Sequence, residues 1–217
     1  TVIDSLGHEI SIDEQGIYDY VSLGAVPQPR TVFRGIKVVP PGSLVRVKQG
    51  QIRIVKYWKP DTESVFEGNY KEAQEELRRL VRESVNLRLR SDVPLGLFLS
   101  GGVDSTVIAY EAADRLNGGI QSFTVSTSDR ELDESGIAAR SAKMIGIQNS
   151  VLDVNVRPLE LIDKVVAHYD QPYAEPSAIP SLAISEAARK HVTVVLNGDG
   201  GDELFGGYPS FKLVPKL

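Results

Sequence analysis

Between residues 69 and 196, short apolar segments alternate with longer amphipathic ones, and this alternation limits the possible folds more than any other feature. The short segments lack a polar–apolar alternation, which is typical of strands buried on both faces. The longer segments have the apolar stripes of helices, and glycine or proline marks several of their ends. This pattern predicts an α/β fold, a doubly wound parallel sheet covered by helices on both faces. The predicted strands are 95–99, 122–126, 151–154 and 192–196, and the predicted helices are 69–89, 105–116, 133–145, 158–169 and 180–191.

The first 60 residues have a different character, with many turns and short β-prone runs at 31–39, 44–48 and 52–57. Alternation in the last two runs predicts a hairpin, and 13–22 is predicted as a short helix ending near Gly24. This region has too little apolar mass for a complete domain. We therefore expect residues 1–60 to be the C-terminal part of one domain and 61–217 to form a second, with a linker near 60–68.

Composition excludes several classes of function. The 217 residues carry a net charge of −5, and the lysines and arginines are dispersed, so a nucleic-acid partner is not expected. The chain has no cysteine, which excludes disulfides, thiolate metal sites and a cysteine nucleophile within it. No apolar run approaches the roughly 20 residues of a membrane span, and no signal peptide opens the sequence, so no membrane partner and a cytoplasmic location are expected.

The first chemically informative segment is Ser-Gly-Gly-Val-Asp-Ser at 100–105, between a predicted strand and a predicted helix. Glycines let backbone N–H groups approach an anion closely, and a helix N-terminus adds about half a unit of positive charge. The hydroxyls of Ser100 and Ser105 add donors, so the segment predicts a phosphate nest. No lysine stands where a Walker-A loop requires one. Asp104 beside a polyphosphate would repel it unless a Mg²⁺ ion lay between them.

The second segment, 197–208, also follows a predicted strand, and it holds the three acids Asp199, Asp202 and Glu203 among glycines. Their mutual repulsion would be relieved by a cation or by hydroxyl groups of a ligand, although a solvated acidic turn is the alternative. The carboxyl ends of parallel strands face one crevice, so Asp104 and Asp202 are predicted to hold Mg²⁺ together.

Other features are less specific. Val125 could contact an adenine through its backbone or be a plain core residue, and the polar loop 170–177 could line the substrate side or be a connector. His8, His168 and His191 are isolated in sequence, so neither a metal role nor a catalytic triad is expected of them.

The segment 100–105 resembles the pyrophosphate loop of the N-type ATP pyrophosphatases. The run Gly-Asp-Gly-Gly-Asp-Glu-Leu-Phe-Gly-Gly-Tyr at 198–208 and the approach 88–96 resemble the asparagine synthetase and β-lactam synthetase branch of that group. Residues 17–60, with Pro40-Pro41-Gly42 and Tyr57-Trp58, resemble the end of the glutaminase domain in the same branch. The chain is thus similar to the glutamine-hydrolysing asparagine synthetase family over nearly its whole length.

This resemblance implies an adenine-nucleotide α-hydrolase-like fold preceded by a remnant of an N-terminal-nucleophile glutaminase domain. It implies ATP and Mg²⁺ as cofactors, with aspartate, and ammonia from glutamine, as further substrates. The implied product is asparagine, formed through an acyl-adenylate. The implied nucleotide contacts are Leu99, Ser100, Gly101, Gly102, Asp104, Ser105, Val125 and Gly198; the implied metal ligands are Asp104 and Asp202, and Asp199 is the implied catalytic residue. A homodimer is compatible with the resemblance.

The sequence departs from the family pattern in three places. The family's glutaminase uses an N-terminal cysteine, and the resemblance places Thr1 well inside that domain, so no glutamine hydrolysis is expected of this chain. A later lysine of the family is not assigned, because Lys212 and Lys216 follow the second loop too soon. Relatives commonly carry Glu where Asp199 stands, which leaves the carboxylate substrate open. A related amidotransferase, a lactam-forming enzyme and a non-catalytic ATP-binding module remain alternatives.

Overall fold

A computed structural model describes residues 10–126, 133–153 and 158–212. Its contacts divide the chain into two compact units. The first comprises the described parts of 1–66 and 157–180, and the second those of 67–156 and 181–217. No helix in the described ranges is both long and apolar enough to cross a membrane.

The first unit contains a helix and a hairpin, both as predicted. Helix α1 (Glu14–Leu23) begins where the Asp13 side chain accepts a hydrogen bond from the Gln15 N–H, and it ends at Gly24, which is left-handed. Strands β1 (Ser43–Lys48) and β2 (Gln51–Lys56) pair antiparallel. The two residues between them both have positive φ, which is the backbone of a tight hairpin turn.

The run 31–39 does not form the strand that its β-branched residues suggested. Among the described residues its only bridge is Phe33 with Ile12. The Thr31 hydroxyl accepts from the Phe33 N–H and lies within hydrogen-bond distance of the Phe33 and Ile36 carbonyls, and Gly35 follows with φ +84°. These local bonds compete with a strand ladder, because they fold the backbone back on itself.

The second unit opens with helix α2 (Tyr70–Arg88). Its predicted capping box is confirmed: the Asn69 side chain accepts from the Glu72 N–H, and the Glu72 carboxylate accepts from the Asn69 N–H. The strands and helices up to residue 196 alternate as the sequence predicted, and a short helix and a 3₁₀ turn follow them. The elements are β3 (Leu95–Phe98), α3 (Val103–Leu116), β4 (Gln121–Ser126), α4 (Ser135–Ile145), β5 (Gln148–Asp153), α5 (Pro158–Tyr169), α6 (Ala178–Ala188), β6 (Val194–Leu196), α7 (Gly201–Phe205) and a 3₁₀ turn (Pro209–Lys212). Of these, α5 belongs to the first unit and α6 crosses from the first into the second.

The core of the second unit lies on both faces of its sheet. On one face Leu97 and Leu99 pack with alanines of α3 and α4 and with Val85 of α2. On the other face Phe123 packs with Ala188 and Val192. Successive strand side chains point to opposite faces, so this division shows a sheet covered on both sides, and the doubly wound α/β fold is confirmed.

The order of the strands determines where in the sheet a ligand site is expected. The sheet runs β5-β4-β3-β6, and every pair is parallel. From β3 the chain moves outward through β4 to β5, and it then returns to place β6 on the free side of β3. In doubly wound sheets this reversal opens a crevice at the carboxyl ends of the two strands where ligands bind.

Candidate functional site

The loop after β3 is held by its two serines. Ser105 is buried, and its Oγ accepts from the Ser100 N–H at 3.3 Å and donates to the Gly102 carbonyl at 3.2 Å. The two hydroxyl oxygens lie 2.9 Å apart, and the Ser100 hydroxyl also accepts from the Gly102 N–H at 3.2 Å. The serines therefore shape the loop from inside, and the donor role toward a phosphate stays a prediction.

The two glycines of this loop differ. Gly101 has φ +86°, a conformation that glycine adopts without strain, and a Cβ there would lie 2.8 Å from Ile137 Cγ2. Gly102 has φ −66° and is the N-cap of α3, and a Cβ there would meet only the Ser100 hydroxyl, at 3.3 Å. Helix α3 thus begins at Val103, two residues before the predicted start. Its first-turn N–H groups have no intrahelical acceptors and are available to an anion.

The loop after β6 turns into a short helix, α7, which the sequence did not predict because glycines and acids are typical of loops. Its N-cap, Gly200, is left-handed with φ +94°. Asp202 lies in the first turn of α7, where the helix dipole favours a carboxylate. Before it, the Asn197 side-chain amide donates to the Asp199 carboxylate at 2.6 Å, and this bond orients the predicted catalytic residue.

The two loops touch each other. A Cβ on Gly201 would overlap the Asp104 carboxylate, and one on Gly198 would lie 3.0 Å from the Ser105 backbone nitrogen. Both glycines belong to the second loop, and both contacted residues belong to the first. The switch point therefore brings together two segments separated by almost 100 residues of sequence.

The carboxylates of Asp104 and Asp202 are suited to a divalent cation that arrives with a polyphosphate. Both residues are half-buried, and neither forms an ion pair with a lysine or arginine in the described ranges. In those ranges no group of three or more His, Cys, Asp or Glu could hold a metal ion alone. Mg²⁺ usually binds through one or two carboxylates together with phosphate oxygens and water, and each of the two residues can supply one. The Asp104 carboxylate lies against Gly201 and that of Asp202 against Gly207, and an ion shared by the two stays a prediction.

The remaining predicted residues fall in two places. Leu99 is buried directly after β3, and Val125 is next to the last residue of β4, so both stand at the carboxyl ends of sheet strands. The loop 170–177 belongs to the first unit, and its role on the substrate side stays a prediction. Within it Tyr173 stacks on Tyr169 with ring centroids 4.1 Å apart, and desolvation, followed by the charges of Tyr169 and Glu175, raises the pKa of Tyr173.

The histidines have structural contacts where the structure describes them. His168 Nδ1 lies 2.9 Å from the Lys164 carbonyl on the preceding turn of α5, and the His191 ring packs against Phe123. His8 lies outside the described residues.

Sequence reasoning missed a buried polar cluster behind the first loop. Ser122 and Thr124 of β4 are at most 3% exposed, and both contact the Asn149 amide of β5. The Thr124 hydroxyl also donates to the Leu99 carbonyl at 2.7 Å. Two hydroxyl residues at alternate positions of a strand predicted to be buried were the signal in the sequence, since buried hydroxyls need partners.

Comparison with known proteins identifies the family. Residues 76–217 match the family model described as asparagine synthase. The chain belongs to the asparagine synthase family. It is 37% identical to asparagine synthetase [glutamine-hydrolyzing] 1 of Bacillus subtilis (strain 168) over 94% of its own length and 32% of that protein.

Two further relatives match the chain over a similar length. Asparagine synthetase [glutamine-hydrolyzing] 3 of Bacillus subtilis is 26% identical over 92% of the chain and 35% of that protein. Amidase chyE of Penicillium rubens is 30% identical over 85% of the chain and 30% of that protein. The chain spans about a third of the length of these curated relatives.

Proposed function

We propose that this chain carries the ATP site of an amide-forming synthetase that adenylates the side-chain carboxylate of aspartate and then transfers ammonia to it. The observation that carries the proposal is the contact between the two glycine loops at the switch point. The predicted phosphate loop and the acidic second loop contact each other there, at the ends of adjacent parallel strands. Membership of the asparagine synthase family supports the same chemistry.

In this proposal ATP lies across the crevice with its phosphates on the loop 100–105. Leu99, Val125 and Gly198 contact the nucleoside, and the N–H groups that begin α3 face the phosphates. The substrate carboxylate attacks the α-phosphorus, which releases pyrophosphate and forms an acyl-adenylate. Ammonia then displaces AMP, and the amide forms.

The chain's own residues mainly position groups and stabilise charge. Asp104 and Asp202 would hold Mg²⁺, which when bound neutralises negative charge on the pyrophosphate leaving group. Asp199, oriented by Asn197, is placed to orient the adenylate or to accept a proton from ammonia. Ammonia is supplied from glutamine, and the protein acts in the cytoplasm.

A second candidate is the same chemistry on another carboxylic acid. The similarity to amidase chyE favours this alternative, since that relative is named as an amidase and not as an asparagine synthetase. Asp199, where glutamate is common in asparagine synthetases, is the residue of the second loop through which such a change of substrate could act.

The experiment is exchange of labelled pyrophosphate into ATP by the intact protein, with one carboxylic acid supplied at a time. Exchange that depends on aspartate supports asparagine formation, and exchange that depends on another acid supports the second candidate. An Asp104→Asn variant serves as the matched control, because it keeps the shape of the site and removes one charge. ATP binding without any acid-dependent exchange would contradict both and leave a nucleotide-binding module.

A further inference from the structure

The Leu99 carbonyl has an unusual partner. The Leu99 N–H donates to the Phe123 carbonyl at 2.9 Å, so the parallel ladder between β3 and β4 continues one residue beyond β3. In such a ladder the next bond would run from the Val125 N–H to the Leu99 carbonyl. The carbonyl accepts instead from the Thr124 hydroxyl at 2.7 Å. Between these two described residues, Val125 and Leu99, no backbone hydrogen bond is formed.

The Asn149 amide fixes the direction of the Thr124 proton. Asn149 Oδ1 lies 2.9 Å from the Ser122 hydroxyl and 3.1 Å from the Thr124 hydroxyl, while its Nδ2 is buried without a partner. Each hydroxyl has one proton and also faces a backbone carbonyl, that of Gln148 for Ser122 and that of Leu99 for Thr124.

Turning the amide by 180° places its NH₂ group between the two hydroxyls. Both amide protons then have acceptors, and both hydroxyl protons go to the carbonyls. The amide oxygen then takes the position without a partner. Leaving a carbonyl oxygen without a hydrogen bond costs less than leaving an N–H group without one. In this arrangement the Thr124 proton is committed to Leu99.

We propose that Thr124 is a positioning residue for nucleotide binding: its hydroxyl occupies the Leu99 carbonyl and thereby leaves the Val125 N–H available to a ring-nitrogen acceptor of a purine base. This inference rests on the proposed function. The Val125 N–H, which does not bond to the Leu99 carbonyl, stands near the carboxyl end of β4, the strand next to the one that leads into the phosphate loop. A donor at one strand end and an anion nest at the adjacent end match the base and the phosphates of one nucleotide.

The test compares Thr124→Val, which keeps the shape and removes the hydroxyl, with Thr124→Ser, which keeps the hydroxyl. Without the hydroxyl, the Leu99 carbonyl is expected to take the Val125 N–H and complete the ladder. NMR hydrogen exchange in the intact, ligand-free protein should then show the Val125 amide slowed at least tenfold in Thr124→Val only. Calorimetry should show ATP binding weakened about tenfold in Thr124→Val, the scale of one hydrogen bond, and unchanged in Thr124→Ser.

Inorganic pyrophosphate is the ligand that distinguishes positioning from general damage. It has no base, so its affinity should be equal in all three proteins, whereas a distorted loop would weaken both ligands and overturn the proposal. Equal ATP affinity in Thr124→Val and wild type would overturn it too.

The wild-type protein alone also tests the idea, should Thr124→Val not fold. Its Val125 amide must exchange faster than the Leu99 amide, which is hydrogen-bonded to Phe123, and equal protection of the two would contradict the proposal. Failure of the proposed function looks different, because it would appear as a lack of acid-dependent pyrophosphate exchange in wild type, whereas the Thr124 comparison measures ATP binding and amide exchange.

Discussion

Gly101 and Gly102 are neighbours in sequence, yet a side chain at each would meet different surroundings. At Gly101 it would strain the backbone and collide with Ile137, whereas at Gly102 it would meet only the Ser100 hydroxyl, at 3.3 Å. Only a substitution at Gly102 is therefore expected to change ligand binding without also destabilising the fold. The sequence alone could not distinguish them, because the pair of glycines does not reveal which one has positive φ.

We expect Gly102→Ala to weaken ATP binding by about 1–3 kcal/mol, roughly 5- to 150-fold, while the fold survives. The reason is that the added Cβ occupies space where a phosphate would approach the backbone N–H groups. The measurement is ATP affinity by calorimetry beside a thermal melt without ligand. Gly136→Ala is the matched control, because its Cβ would meet only Arg140 Nη1 at 3.8 Å. Unchanged affinity in folded Gly102→Ala would remove the phosphate-nest hypothesis.

Gly101→Ala should behave in the opposite way. Positive φ costs a non-glycine residue of the order of 1–3 kcal/mol, and the contact with Ile137 adds to it. The variant should therefore melt at a lower temperature than wild type, whether or not ATP is present. A melt identical to wild type would show that the loop relaxes without strain.

Asp104 and Asp202 should act as one unit if they share an ion. Asp104→Asn and Asp202→Asn are each expected to lower the rate of AMP formation sharply in the intact protein. The double variant should cost far less than the product of the single effects, since groups that act together are non-additive. Multiplicative losses in steady-state rates would indicate that the two carboxylates work separately.

At the scale of elements, helix α2 offers a test of local stability that leaves the site alone. Asn69→Ala removes the side-chain acceptor of the capping box and should lower the free energy of unfolding by about 0.5–2 kcal/mol. Asn69→Asp, which keeps an acceptor, should remain close to wild type. Urea unfolding measures the effect, and ATP affinity measured in parallel should not move in either variant.

The elements also show what the sequence could predict. The hairpin, the capping box and the alternation of strands and helices depend on neighbours a few residues apart, and each was found in the structure. The strand predicted at 31–39 was wrong, because side-chain hydrogen bonds compete with the strand and β propensity does not include them. Helix α7 was missed because five residues rich in glycine and acids give no helical period.

In the candidate site, too, some features could be predicted from the sequence and others could not. The sequence placed each loop at the end of a strand and predicted that the two face one crevice, and the structure adds the contacts that Gly198 and Gly201 make with the first loop. The contact of Thr124 with the Leu99 carbonyl joins residues on two strands and has no local pattern. What the sequence could not supply was which individual residues of these distant segments touch.

For the whole molecule, ATP should protect the two loops and spare the hairpin. In hydrogen exchange followed by mass spectrometry, peptides containing 99–105 and 197–203 should exchange more slowly with ATP and Mg²⁺. A peptide containing 43–56 lies in the other unit and serves as the internal control. Protection of the hairpin without protection of the loops would contradict the proposed site.

The position of β6 beside β3 has a consequence for co-translational folding on the ribosome. The central strand β3 is synthesised early, but its second neighbour emerges only after β4, β5 and the helices that follow them. Until then one edge of β3 is unpaired, and such an edge invites association with other chains. Nascent chains should therefore gain ATP binding abruptly, when the segment around residue 203 leaves the exit tunnel. The nucleotide would thus report that translation of this region is complete.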